Sequence, residues 1–171
     1  MPINLGMLDE VSRDFAAYVA EHRPDWLAYA RLLPISENSN LHHLEVEFPN
    51  QPGAEAQEPF WISTYGEEVT VGLDAHHAHF PWPKDYNGED GRPAAMKYIH
   101  ALMNEELVVV SFWDGTRIRC SSSEQPKNLS IYEEQPGGAS ELRIRSWRGS
   151  YNRTLRFDWD SYLKTIKGSP S

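Results

Sequence analysis

The stretch LVVVSFWDGTRIRCSS, residues 107–122, predicts a β-hairpin from which the fold class follows. Its first half is apolar on both faces, which is typical of a strand in the middle of a sheet. Asp114-Gly115 is a favoured two-residue turn between antiparallel strands, because glycine adopts left-handed backbone angles readily. The second half alternates arginine with Ile118 and Cys120. We therefore expect Cys120 to be a small residue of the core.

The segments on either side of this hairpin add a helix and two strands. Upstream, Pro93 suits a first helical turn, and apolar residues at helical spacing predict a helix over 93–105 that packs on the sheet. Downstream, ELRIRSW (141–147) and TLRFDW (154–159) alternate apolar and polar residues and predict two further strands. DSYLKTIK, residues 160–167, predicts a short closing helix.

The middle of the chain also predicts antiparallel strands. LHHLEVEF alternates apolar with polar residues and predicts a strand over 42–48 with one buried face. Residues 60–64 and 69–73 flank a tight turn and predict a hairpin. A long loop rich in Pro, Gly, Asn and Asp follows over 81–91. Loops of this length in a compact domain often carry function.

Two helices are predicted before the first strand. Apolar residues recur at helical spacing over 7–21, and a shorter helix with Asp25 as its N-cap is expected over 25–33. The whole pattern predicts an α+β fold: a mostly antiparallel sheet of six or seven strands, an N-terminal helical hairpin, and one helix packed on the sheet. The length predicts a single domain over 1–171.

Composition and charge favour a folded protein that binds neither nucleic acids nor membranes. The formal net charge is −9, and residues 1–110 hold 18 acidic against 6 basic side chains, whereas residues 111–171 hold 7 against 10. Such a surface repels nucleic-acid phosphates and anionic lipids and attracts basic partners. The sequence has no secretory signal pattern, no membrane-spanning apolar run and one cysteine, so we expect a cytoplasmic protein.

A histidine cluster in LDAHHAHFPWP is the densest group of chemically active side chains. On a strand continuing from residue 73, His77 and His79 share one face, with Asp74 and His76 close by. A His-x-His pair beside a carboxylate is a plausible ligand set for zinc, so a metal-dependent hydrolase using Asp74, His77 and His79 is one alternative. Packing at the end of a strand is the interpretation we favour, and we expect no metal or cofactor.

The sequence contains no motif of known catalytic or phosphate-binding geometry. The patterns GxSxG, GxxxxGK[ST], GxGxxG and HExxH are all absent from it. Asp85, Glu89 and Asp90 cluster in the long loop, but they lack the DxDxDG order of an EF-hand calcium loop. We therefore expect a protein without enzymatic activity.

Basic side chains are concentrated in the last predicted strands. Arg143, Arg145 and Trp147 share a face opposite Leu142 and Ile144. Arginine interleaved with tryptophan can stack on bases or bind anions. Pairing with the chain's own surplus carboxylates is the alternative that we favour, since it is common on exposed sheet faces.

Three whole-strand patterns lie within about residues 59–151: WISTYGEEVTVGLDAHHAHFPWP, LVVVSFWDG and LRIRSWRGSYN. Together they resemble small acidic bacterial proteins that act as immunity partners of secreted polymorphic toxins. The resemblance implies a cytoplasmic, non-catalytic protein that binds a cognate toxin domain, often a basic enzyme, and occludes it. The resemblance does not assign a binding role to any individual residue.

Loop 81–91 is the expected contact region for such a partner. Aromatic anchors within a charged rim are typical of protein interfaces, and the loop offers both kinds of residue. The predicted contact residues are Trp82, Asp85, Tyr86, Glu89 and Asp90. An interaction module with neither enzymatic activity nor a toxin partner remains as an alternative.

Overall fold

Two antiparallel sheets and three α-helices make up the computed structural model, which describes residues 4–66, 68–134 and 138–158. The elements are α1 Glu10–His22, β1 Ala30–Pro34, β2 His42–Phe48, β3 Phe60–Ser63, β4 Glu68–Leu73, β5 His76–Pro81, α2 Arg92–Met103, β6 Val108–Asp114, β7 Arg117–Glu124, α3 Leu129–Glu134, β8 Glu141–Arg145 and β9 Arg153–Arg156. The α+β class is confirmed, whereas the single sheet of six or seven strands is wrong. The predicted helix over 160–167 lies outside the described residues.

The first sheet contains β1 to β5 in chain order, each strand antiparallel to its neighbours. Its apolar face is buried, with Leu44, Val46, Ile62 and Val71 almost inaccessible to solvent. These side chains form the larger core together with residues of α1 and α2. Because side chains alternate along a strand, His43, Glu45 and Glu47 of β2 lie on the opposite face.

Helix α1 confirms the first predicted helix and begins at a carboxylate cap. The Asp9 side chain accepts the Ser12 main-chain N–H at 2.7 Å, which satisfies a donor that the helix itself leaves unpaired. Phe15, Ala16 and Val19 are buried and belong to the larger core. The helix therefore holds one side of that core.

The predicted second helix over 25–33 is confirmed only over its first part. Residues Pro24–Tyr29 form a short 3₁₀ helix, and the next five residues form β1. Ala30 to Pro34 pair with β2 at the edge of the first sheet. An available strand partner overrides a weak helical propensity, and proline is tolerated on an edge strand.

Strand β5 continues from β4 through a tight turn that the sequence pattern did not indicate. Leu73 pairs with His76, so the chain reverses at Asp74 and Ala75. Asp74 has a φ of 51°, in the left-handed region that aspartate tolerates better than most residues. An Asp-Ala pair lacks the glycine that usually identifies such a turn.

The second sheet has the strand order β7-β6-β8-β9, with β6 between two neighbours as expected. The predicted hairpin is confirmed, although the turn is shifted by one residue because Asp114 pairs with Arg117. A bulge after Phe112 places Cys120 opposite Phe112 on the outermost strand. Cys120 is exposed, so its assignment to the core is wrong. An edge strand leaves such residues uncovered even where the alternation suggests a buried face.

The two sheets are separate but share a core. Val109 and Trp147 belong to the larger core, whereas Val108 and Val110 pack in a second core with Leu129 of α3. Both faces of β6 are therefore buried. The two sheets are not continuous because β6 pairs with β7 and β8 and not with β5.

Candidate binding surface

The solvent face of the first sheet carries a continuous row of polar side chains. The strand register aligns Arg31, Glu45, Ser63, Thr70 and His79 across all five strands. At one end of the row, Arg31 Nε lies 2.9 Å from Glu45 Oε1, and its Nη2 lies 2.7 Å from Glu47 Oε2. The Glu45 carboxylate raises the pKa of Arg31 by hydrogen bonding to the guanidinium. One cation thus bridges two carboxylates of β2.

Aromatic rings form the second row of this face. The Trp61 indole lies directly on Gly72 of the neighbouring strand, where a Cβ atom would come within 2.3 Å of the ring. Glycine at this position is therefore what lets the indole lie close to the backbone. Beyond it, the ring centroids of Trp61 and His77 are 6.5 Å apart, and those of His77 and His79 are 4.9 Å apart.

A groove of about 960 Å³, which we call the sheet groove, runs along this face to the tip of the β6–β7 hairpin. It is rich in carboxylates and aromatic rings. Its charged and aromatic lining residues are Arg31, Glu45, Glu47, Glu58, Asp74, Trp61, Tyr65 and Trp113, together with the three histidines His43, His76 and His77. Four carboxylates against one guanidinium make it an acidic site.

Asp74 lies in the sheet groove with one carboxylate oxygen unpaired. Its Oδ1 accepts the Gln57 main-chain N–H at 2.6 Å, and its own main-chain N–H donates to Glu58 O at 3.2 Å. The residue is 6% exposed, and Oδ2 has no hydrogen-bond partner among the described residues. Buried carboxylate oxygens are normally paired, so this one is an exception that calls for a partner.

His43 provides a second unpaired atom in the same groove. The residue is 8% exposed, and its Nδ1 has no partner within the described ranges. Its ring meets the Tyr65 ring edge-on at 5.1 Å. Burial lowers the pKa of His43, and the nearby carboxylates of Glu45 and Asp9 oppose that effect. The imidazole is therefore mainly neutral near pH 7.

A second groove, which we call the loop groove, lies between α1, the β3–β4 turn and the loop after β5. It has a volume of about 910 Å³ and is lined by Asp9, Glu10, Glu68, Lys84, Tyr65 and Tyr86, among others. Tyr65 lines both grooves. Tyr65 is 57% exposed and Tyr86 is 92% exposed. The two acidic grooves therefore meet at an exposed tyrosine.

The predicted contact residues divide between the core and the surface. Trp82 is only 3% exposed, and its Nε1 donates to Asp14 Oδ2 at 2.8 Å. The ring is packed under α1 at the edge of the loop groove, and its role as a contact residue stays a prediction. Tyr86 and Glu89 are exposed, and their contact role stays a prediction.

The two aspartates of the loop have structural partners. Asp85 Oδ1 accepts the main-chain N–H groups of Asn87 and Glu89 at 2.8 and 2.9 Å. Asp90 accepts the Arg92 Nε–H at 2.8 Å, and hydrogen bonding to this guanidinium lowers its pKa. Both carboxylates shape the loop, and their role as contact residues stays a prediction.

The histidine cluster is divided between the two faces of β5. His77 and His79 share the solvent face, as their spacing predicted, and His79 Nδ1 lies 2.6 Å from Glu68 Oε1. His76 begins β5 with the alternate orientation and lines the end of the sheet groove next to the second sheet, where its Nδ1 is 3.1 Å from Ser121 Oγ. Among the described residues, no group of three or more His, Cys, Asp or Glu side chains is arranged to hold a metal ion. The hydrolase hypothesis therefore has no ligand set in this part of the chain.

The arginines of the second sheet have partners within the chain. Arg143 pairs with Glu141 and lies 3.8 Å from the centroid of the Trp113 ring. Arg156 Nε lies 3.0 Å from Glu141 Oε2. Arg145 is buried and donates to main-chain carbonyls. The predicted pairing with the chain's own carboxylates is confirmed for Arg143 and Arg156, whereas Arg145 is bonded mainly to the main chain.

Sequence reasoning missed the sheet groove. The alternation in β2 placed His43, Glu45 and Glu47 on one face, and this pattern could have indicated a polar surface on the sheet. The approach of Asp74 to the segment before β3 was not encoded in any local pattern, because it depends on the unexpected turn between β4 and β5.

Comparison with known proteins finds no matching protein family, no similar curated protein and no similar solved structure. Within the described ranges, no helix has both the length and the apolar character needed to cross a bilayer.

Proposed function

We propose that this chain is an immunity protein, which binds a basic toxin domain in the bacterial cytoplasm and blocks it by occlusion. The observation that carries the proposal is the meeting of two acidic grooves at Tyr65, on a sheet face that presents polar and aromatic side chains to solvent. The net charge of −9 supports fast encounter with a basic partner.

The grooves offer the features of a protein interface. Tyrosine supplies a large contact area at a low entropic cost, and interface hot spots are enriched in it. Tyr65 and Tyr86 are the exposed aromatic residues of this surface, and Asp9, Glu10 and Glu68 surround them. Carboxylates at the rim would set the association rate more than the final affinity.

The test uses the protein product of the neighbouring gene. We expect the two purified proteins to form a complex whose association rate falls steeply as salt rises. Tyr65→Ala and Tyr86→Ala should each weaken the complex at least about tenfold, which corresponds to roughly 1.4 kcal/mol. Co-expression should also protect cells from the toxin.

Tyr151→Ala is the matched control. Tyr151 is exposed like the other two tyrosines but lines neither groove. Its substitution should leave affinity unchanged. The proposal fails if the neighbouring protein does not bind, or if all three substitutions affect binding equally.

A further inference from the structure

We infer that the sheet groove receives the guanidinium of an arginine side chain from the partner, with Asp74 as its counter-ion. This inference rests on the proposed function, since it identifies which chemical group of a basic partner the groove recognises. It begins from the carboxylate that the fold buries without completing its hydrogen bonds.

The unpaired oxygen of Asp74 has a fixed position. The carboxylate is held at Oδ1 by the Gln57 N–H, and the backbone is held by the bond from the Asp74 N–H to Glu58 O. The side chain therefore cannot rotate towards water without breaking the 2.6 Å hydrogen bond. Oδ2 is enclosed and has no hydrogen-bond partner among the described residues, so an N–H donor that satisfies it must displace part of the groove lining on entry.

The charge balance of the sheet groove also favours a cation. Arg31 is occupied by Glu45 and Glu47. Glu58 and Asp74 have no cationic partner among the described residues, and both line the groove. The groove thus holds two carboxylates that an added positive charge would neutralise.

The shape and chemistry of the lining favour arginine over lysine. A guanidinium donates through a planar fork that suits a carboxylate, and its faces stack on aromatic rings. Trp61 and Tyr65 present such rings in the same groove. Arg143 already lies on Trp113 at 3.8 Å, which is the same kind of contact within this chain.

His43 is compatible with a bound cation. Its burial lowers its pKa, so it does not add positive charge to the groove near pH 7. Its Nδ1 has no hydrogen-bond partner among the described residues. In the tautomer that leaves this nitrogen unprotonated, it accepts a hydrogen bond from a second guanidinium N–H.

The direct test titrates the ¹⁵N-labelled full chain with Nα-acetyl-arginine amide and, separately, with Nα-acetyl-lysine amide. We expect saturable NMR shifts of the Gln57 and Glu58 amides and the Trp61 indole N–H with the arginine compound, and at least tenfold weaker binding of the lysine compound. Absence of saturable shifts at these positions, or equal binding of both compounds, overturns the inference.

Asp74→Asn is the decisive variant. Asparagine keeps an oxygen that accepts the Gln57 N–H and adopts the left-handed backbone readily, so the fold should be retained. We expect at least a tenfold loss of arginine-amide affinity. Glu58→Gln offers a second test if Asp74→Asn lowers the melting temperature, and should weaken binding severalfold. Glu106→Gln, an exposed substitution outside the groove, should change nothing.

The same variants separate this inference from the proposed function. If the neighbouring gene product binds the native chain and Asp74→Asn with equal affinity, the inference is overturned and the immunity proposal stands. If arginine amide binds in an Asp74-dependent way but no toxin complex forms, the groove assignment stands and the immunity proposal fails.

Discussion

His76 Nδ1 lies 3.1 Å from Ser121 Oγ, and this contact joins the last strand of the first sheet to the outermost strand of the second. The histidine is partly buried between the sheets. Burial lowers its pKa, and the neighbouring His77 lowers it further. A hydrogen bond between two edge strands therefore depends on an imidazole that resists protonation.

The free energy of unfolding should fall as pH decreases from about 7 to 5. The unfolded chain takes up a proton at the ordinary histidine pKa of about 6.5, whereas folded His76 and His43 protonate only at lower pH. Their contribution is complete above the unfolded pKa and is lost as pH falls towards the folded pKa. One histidine changes stability by at most about 1.4 kcal/mol per pH unit.

Urea unfolding at several pH values measures this dependence, and His76→Gln should make it shallower. Carboxylates with lowered pKa, such as Asp90 and Glu141, lose their contribution near and below about pH 4, outside this window. An unchanged slope in His76→Gln would show that His76 protonates as easily in the folded protein as in the unfolded chain.

Thr64 is the polar centre that joins α1 to the first sheet. Its Oγ1 lies 2.6 Å from Ser12 Oγ and accepts the Leu44 N–H at 2.9 Å. Both Thr64 and Ser12 are fully buried. Thr64→Val should destabilise the protein by about 1–3 kcal/mol, the cost of leaving a buried group without its hydrogen bond. Thermal and urea unfolding measure the change.

Thr64→Ser is the matched control because it keeps the hydroxyl. It removes one methyl group, for which we expect about 0.8 kcal/mol. A serine variant that is no more stable than the valine variant would contradict the role of the hydroxyl.

The sequence predicted those elements that have a strong local pattern. Helix α1 follows from apolar residues at helical spacing, and the β6–β7 hairpin follows from an apolar strand and a glycine turn. Strand β1 over 30–34 was not predicted, because its apolar residues suit either a helix or a strand, and pairing with β2 decides between them. Local patterns also do not specify which strands pair, so two sheets were taken for one.

The candidate site was less predictable than the fold. Loop 81–91 was identified from its composition, but composition does not reveal that Trp82 turns inward. The sheet groove depends on residues from five separate segments, including Asp74 and Gln57, whose contact spans 17 positions in sequence. Only the tertiary structure brings these groups together.

Arg145 should be required for stability in a way that exposed arginines are not. Its guanidinium donates to Glu55 O at 3.2 Å, Arg153 O at 2.9 Å and Thr154 Oγ1 at 2.9 Å. A lysine ammonium cannot reach three acceptors spread around a planar fork. Arg145→Lys should therefore lower the free energy of unfolding by about 1–3 kcal/mol.

Arg156→Lys provides the comparison within the same sheet. Arg156 is exposed and pairs with Glu141, so the substitution should cost less than about 1 kcal/mol. Urea unfolding of both variants side by side tests the difference. Equal losses of unfolding free energy in the two variants would mean that the hydrogen bonds of buried Arg145 add no more stability than the exposed ion pair of Arg156.

Trp82 should act through stability and not through direct contact with a partner. Its ring meets Phe15 edge-on at 5.2 Å, and its Nε1–H binds Asp14 at 2.8 Å. Trp82→Phe keeps an aromatic ring but removes the donor, and we expect a loss of about 1–3 kcal/mol in unfolding free energy. At a temperature where the variant is folded, affinity for the partner should change by less than about twofold, roughly 0.4 kcal/mol.

Tyr86→Ala should show the reverse, with unchanged unfolding and weaker binding, because this side chain is almost fully exposed. Calorimetry and urea unfolding on both variants separate the two roles, and a Trp82→Phe protein of native stability that no longer binds would return Trp82 to the interface.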